Sequence, residues 1–155
     1  MSKFITRSAV LSDLDTLLEF EQGIIAFERP FDPTLKEDPI SYYDLGELIK
    51  SDDAEVVVIE HEGQLVASGY AQIKKGKPYL DHELYSYLGF MYTDASFRGQ
   101  GLNKKVVEAL KDWSKSKGIS EIRLTVYDDN AGAIRAYEKV GFKAHIVEMR
   151  IVNLK

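Results

Sequence analysis

The chain has no cysteine among its 155 residues, only four prolines, and no apolar run of the ~18 residues that a membrane-spanning helix requires. Without thiols it cannot build a disulfide scaffold, a thiolate zinc site, an iron–sulfur cluster or a cysteine nucleophile. That lack fits a reducing, cytoplasmic setting. Its three histidines, His61, His82 and His145, stand too far apart for ligand spacing, so no metal is expected. The opening MSKFITRSAV lacks the apolar core and small-residue cleavage site of a signal peptide. Bases are scarce as well: 20 Lys and Arg against 25 Asp and Glu leave a net charge of −5, which argues against nucleic acid as a partner. What is present is 45% hydrophobic sequence with no repeat, linker or low-complexity tract, which reads as one domain over residues 1–155.

The net charge is unevenly spread. Between Asp13 and Glu62 fifteen acids face three bases (Arg29, Lys36, Lys50), a local net of −12. Between Arg98 and Gly118 six bases face Glu108 and Asp112, a local net of +4. Each charge by itself reads as a solvated helix face. Together they suit two ligands of opposite sign, an anion at the basic stretch and a cation at the acidic one.

Hydrophobic periodicity orders the rest. Ser12 is placed to cap a helix whose stripe is Leu14, Leu17, Leu18, Ile24, Ile25 and Phe27, with Gly23 as the point where it would break. Residues 28–39 hold Pro30, Pro33 and Pro39 and read as a surface loop, followed by a short helix over 42–49. Two β-branched runs, 55–60 and 65–73, flank a turn at Gly63, and aromatic-rich strands follow over 79–92. A helix carries Leu102, Val106, Leu110 and Trp113 on one face and stops at Gly118. Then come a strand over 119–127, a helix over 130–140 ended by Gly141, and a last strand over 145–154. This succession is a mixed α/β sheet.

The loop between the 79–92 strands and the next helix reads Phe97-Arg98-Gly99-Gln100-Gly101-Leu102-Asn103-Lys104. Its glycines permit a tight turn and close approach of a ligand to the backbone. The helix start adds orphan N–H groups and positive dipole potential, so a phosphate is the natural guest. No GxxxxGK[ST] occurs, and no GxGxxG with an acid about twenty residues on. A glycine pair before a helix is also compatible with an ordinary turn.

The run from Phe90 to Asn103, FMYTDASFRGQGLN, resembles the acetyl-CoA-binding motif Q/R-x-x-G-x-G/A of the GNAT (GCN5-related) N-acetyltransferase superfamily. A second block is similar to the family's L-x-V…N…A…Y-x-x-x-GF segment: Leu124, Val126, Asn130, Ala133, Tyr137, Gly141 and Phe142. The loop departs from the motif at Asn103, where the family has Gly or Ala. The resemblance implies a central, mostly antiparallel sheet with a splayed parallel pair, flanked by about four helices. It also implies direct transfer from acetyl-CoA to a neutral amine, with no covalent enzyme intermediate.

In such a fold the pantetheine arm runs along the backbone of Met91, Tyr92 and Thr93. The pyrophosphate rests on the N–H groups of Gly99, Gln100, Gly101, Leu102, Asn103 and Lys104, beside Arg98. Tyr137 matches the family's general acid, although its spacing with Ala133, Ile134 and Val140 equally describes a core tyrosine. Asn130 matches a contact to the cofactor arm and is also a good helix cap. Some relatives carry a glutamate base where this chain has Thr125, and a hydroxyl cannot serve at neutral pH. The remaining candidates are His82, Glu83, Glu21 and Glu28, directly or through water; Glu28 with Arg29 could instead form a structural ion pair. The acidic half favours a cationic small-molecule amine, walled by aromatics, with the 28–39 loop setting specificity. A protein or peptide acceptor, and a non-catalytic acetyl-CoA-binding module, are the alternatives. An apolar final strand near a sheet edge would favour a homodimer.

Overall fold

The computed structural model describes residues 3–155; Met1 and Ser2, which open the MSKFITRSAV stretch, lie outside it. The chain divides into two compact units, one up to Thr125 and one from Val126 to Lys155.

The first unit contains β1 (Phe4–Ser8), α1 (Leu14–Glu28), α2 (Leu45–Lys50), β2 (Ala54–His61), β3 (Gln64–Lys75), β4 (Leu84–Thr93), α3 (Leu102–Ser116) and β5 (Ile122–Arg123). The five strands form one sheet in sequence order. The first three pairings are antiparallel and the β4–β5 pairing is parallel. A parallel neighbour requires a long crossover, and α3 supplies it. The tight β2–β3 hairpin turns on Glu62 and Gly63, both at positive φ (52° and 81°). The β1 strand was not legible in its five residues, FITRS, which show no clear alternation.

Val56, Val57, Val58 and Ile59 of β2 are all buried, so this strand is covered on both faces. One face packs Val56, Val58, Tyr70 and Phe90 against Leu17 and Phe20 of α1 and Leu45 and Leu48 of α2. On the other face Gly69 and Met91 meet Val106 and Leu110 of α3. Gly23 does not break α1. A Cβ there would stand 3.1 Å from the Tyr92 ring, so the glycine lets the helix approach β4. At the sheet edge the Arg7 guanidinium grips both oxygens of Asp13, at 2.8 and 3.0 Å, and also bonds Glu60. Those hydrogen bonds hold the Asp13 carboxyl below its usual range and tie β1 and β2 to the start of α1.

Two irregularities shape β4. Its register with β3 passes from Tyr70↔Gly89 to Ser68↔Tyr92, so Phe90 and Met91 together oppose Gly69. Phe90 takes up this bulge with φ 58° while almost wholly buried. A Cβ on Gly69 would lie 2.6 Å from both Met91 Sδ and Val106 Cγ1, so only glycine fits opposite the bulge. On its other edge β4 pairs with β5 at Ser86↔Ile122 and Tyr87↔Arg123 alone. The strand expected over 119–127 is therefore two residues long, and among the described residues β4 from Leu88 onward has no ladder partner on that edge. The strands expected over 79–92 reduce to β4, because 76–83 form the connecting loop.

In the second unit α4 (Ala131–Lys139) is followed by Gly141 at φ 108°. Residues 142–155 contain no helix or strand, so the expected strand over 145–154 is not formed. Apolar spacing cannot make a strand without a ladder to pair with, and the edge argument for a homodimer loses its footing. Among the described residues no helix is long and apolar enough to cross a membrane.

Gly69→Ala should destabilise the fold by about 1–3 kcal/mol, because the added methyl overpacks the bulge against α3. Urea denaturation checks this, and an unchanged midpoint and slope would contradict the packing described.

Candidate active site

The turn into α3 is built to leave donors free. Gly99 and Gly101 both adopt left-handed conformations, φ 79° and 77°, with no neighbour crowding either position. Gly101 occupies the N-cap, no side chain caps the helix, and its first turn contains no acid. The other short helices differ: Asp44 accepts from Glu47 N at the start of α2, and Asn130 accepts from Ala133 N (3.2 Å) at the start of α4. At α3 the orphan N–H groups, the helix dipole and Lys104 all present positive potential to solvent. Upstream, Asp94 organises the approach by accepting from Ser96 N (2.9 Å), and Arg98 Nε reaches back to the Thr93 carbonyl (3.4 Å). The unladdered edge of β4 leads directly into this turn. The edge and the turn are joined by the short 95–97 turn, so the two sets of backbone groups lie on one continuous stretch of chain.

The side chains at the end of β4 divide between the faces. Met91 points toward α3, whereas the Tyr92 ring stacks on Phe20 of α1 at 4.4 Å. On the α1 side lies a cluster that the sequence did not reveal. The Glu21 carboxylate is almost fully buried, and its Oε2 accepts from the backbone N–H groups of both Tyr42 and Tyr43, each at 2.8 Å. This clamp draws the 42–43 segment over the sheet. Tyr43 then packs edge-on against Tyr70 and Phe90, at 5.4 and 5.5 Å. Burial pushes the Tyr43 hydroxyl well above the usual phenol range and the Tyr70 hydroxyl up to about 12, so both stay neutral donors. The half-buried Glu28 carboxyl interacts with Tyr42, and burial pushes its ionisation upward from the ordinary glutamate value. A cavity of about 440 Å³ opens alongside, walled by Tyr43, Tyr70, Gln72 and Lys74 with Asp44 and Glu47 of α2.

The candidate residues are not all brought together. Arg29 pairs with Asp38 at 2.6 Å and not with Glu28, which leaves the Glu28 carboxyl to Tyr42. His82 and Glu83 precede β4, seven or more residues before the bulge, roughly 20 Å along an extended strand. Both ring nitrogens of His82 are engaged, Nδ1 with Asp81 (2.9 Å) and Nε2 with Arg123 (2.7 Å). Thr125 shares a 2.6 Å hydrogen bond with the Tyr87 hydroxyl. In the second unit Asn130 is the N-cap of α4, and the Tyr137 ring meets Phe142 edge-on at 5.8 Å.

Comparison with known proteins adds to this geometry. The model of the acetyltransferase (GNAT) family matches residues 21–142. An N-alpha-acetyltransferase 30 from Saccharomyces cerevisiae is 32% identical over 68 residues, which is 44% of this chain; the chain spans 39% of that relative's length. A glucosamine-6-phosphate N-acetyltransferase structure from Arabidopsis thaliana superposes with a TM-score of 0.71 at 26% identity, covering 97% of this chain and 99% of that one. A protein from Bacillus halodurans shares the fold with a TM-score of 0.87 at 18% identity, over 97% and 99% of the two chains.

Replacing Glu21 with Ala should strand two buried N–H groups and cost roughly 2–6 kcal/mol. Thermal and urea unfolding of Glu21→Ala measure this; a variant as stable as the parent would show that the clamp carries no weight.

Proposed function

This chain belongs to the GNAT acetyltransferase family, and on that premise we propose that it transfers the acetyl group of acetyl-CoA directly to a small-molecule primary amine. The observation that carries the reading is the uncapped, acid-free start of α3 at the end of an unladdered β4 edge. Backbone at Met91, Tyr92 and Thr93 is disposed to accompany an extended arm. The N–H groups of Gly99, Gln100, Gly101, Leu102, Asn103 and Lys104, with Arg98 beside them, suit a pyrophosphate. The side chain of Asn103 leaves its own N–H available, so the departure from the motif spares the cradle.

Bound acetyl-CoA supplies a thioester carbonyl and a thiolate leaving group. The incoming amine forms the N–C bond as the C–S bond breaks, and it must first lose a proton. We assign that proton to Glu28, directly or through water, in preference to His82 and Glu83. Glu28 is desolvated and touches the tyrosine cluster beside the bulge, whereas both ring nitrogens of His82 already have partners. On the resemblance alone, we propose Tyr137 as the donor of a proton to the departing sulfur and Asn130, the cap of α4, as a contact to the arm. The excess of acids between Asp13 and Glu62 draws an ammonium toward this side of the sheet.

A thiol-release screen over small amines, run on the parent and on Tyr137→Phe and Glu28→Gln, tests this function. Turnover on at least one amine is expected, with kcat lowered about 100-fold in Glu28→Gln, the usual weight of a general base. Because burial raises the Glu28 ionisation, the parent's acid limb in kcat/KM should fall above the ordinary glutamate value of 4.5 and vanish in Glu28→Gln. Tight acetyl-CoA binding without turnover on any amine, and with no effect of Tyr137→Phe, would contradict the enzymatic reading.

A further inference from the structure

The cavity beside the tyrosine cluster is lined by one base, Lys74 of β3, and by two acids at the start of α2, Asp44 and Glu47. Of its two acids, Asp44 is spent on capping α2, where it accepts from Glu47 N, and Glu47 pairs with Lys50 at 3.0 Å. Lys74 is different. Its ammonium rests over the Tyr87 ring, 4.5 Å from the centroid, and no carboxylate pairs with it among the described residues. An aromatic face holds a cation in place without neutralising it. The platform is itself anchored, since the Tyr87 hydroxyl shares its 2.6 Å hydrogen bond with Thr125. On the sheet side of the cavity the protein therefore presents one placed ammonium, among Tyr43, Tyr70 and Gln72, that no carboxylate pairs with among the described residues.

The strand register sets how far this charge stands from the reacting end. Tyr87 lies opposite Gln72, and Gly89 opposite Tyr70, immediately before the Phe90–Met91 bulge. Tyr43 bridges that end, touching both Tyr70 and Phe90. From the Gln72–Tyr87 level to the bulge is two to three residues along an extended strand, roughly 7–10 Å. Resting on the acetyl-transfer reading above, we infer that the acceptor is an amine whose other end is anionic, the two charges separated by that span. The anion, a carboxylate or phosphate, sits on Lys74, and the amine extends past Tyr43 toward Glu28. An α-amino acid presenting its α-amine is too short for this arrangement. An ω-amino acid or an amino-sugar phosphate is long enough.

Glycine and the ω-amino acids 4-aminobutyrate, 6-aminohexanoate and 8-aminooctanoate, each matched with the alkylamine of equal chain length, provide the test. Calorimetric binding in the presence of CoA and kcat/KM are measured for each pair. In the parent, the carboxylate of the longer acids should improve binding over the matched alkylamine about tenfold, the weight of one charge-assisted contact, with no such gain for glycine. Lys74→Met should collapse that ratio to about one, and Lys74→Arg should retain it. A chain-length preference in binding that Lys74→Met removes, without turnover of any amine, would uphold the acceptor geometry while contradicting the acetyl-transfer reading. Turnover with no preference for the longer acids, or a preference that survives Lys74→Met, would overturn the inference.

Discussion

The arrangement of this sheet depends on one close approach, that of Gly69 to the two residues Phe90 and Met91 across the β3–β4 ladder. With no side chain on β3 at that point, β4 can carry an extra residue, and Phe90 accepts a left-handed backbone because its ring is locked in the core against Tyr43. The bulge changes the course of β4 beyond its short pairing with β5. A backbone edge without a ladder is costly if buried and useful if a ligand supplies the missing partner. Here the edge runs straight into a helix start that is also short of partners. The proposed cofactor site thus combines the packing of β4 on β3 with the separate glycine turn at the start of α3.

Electrostatics on the two sides of the sheet are organised differently. On the α3 side the sign comes from the backbone, through the helix dipole and unpaired N–H groups, with lysines adding to it. On the α1 side the carboxylates have separate tasks. Glu21 holds the 42–43 segment, Asp44 caps a helix, Asp13 grips Arg7, and Glu28 faces the tyrosines. These four of the fifteen acids on that stretch are held in fixed contacts, while their charge still adds to the local excess. Lys74, the one base lining the cavity beside the tyrosine cluster, adds a local positive point within this acidic region.

Much of this was legible from residues alone. The glycines of the α3 turn, the crossover helix, the β2–β3 hairpin and the Asn130 cap all have local signatures. What was hidden depends on contacts distant in sequence. Gly23 reads as a helix breaker until Tyr92 is seen beside it. Glu21 reads as a surface acid until the two N–H groups it accepts, more than twenty residues away, are counted. The final apolar stretch has the pattern of a strand and lacks the partner that would make it one. The bulge at Phe90 has no composition signal, because a bulky residue at positive φ is unfavourable on its own and is stabilised only by the surrounding core.

Acetyl-CoA is expected along the free edge of β4 and at the start of α3. Backbone amide chemical shifts of the full chain, recorded as acetyl-CoA is added, report that location residue by residue. The shifts should concentrate on Gly99, Gln100, Gly101, Leu102, Asn103 and Lys104 and on residues 88–93, leaving β1 and α2 nearly unmoved. Saturation with no change in these two stretches, or changes centred elsewhere in the sheet, would contradict it.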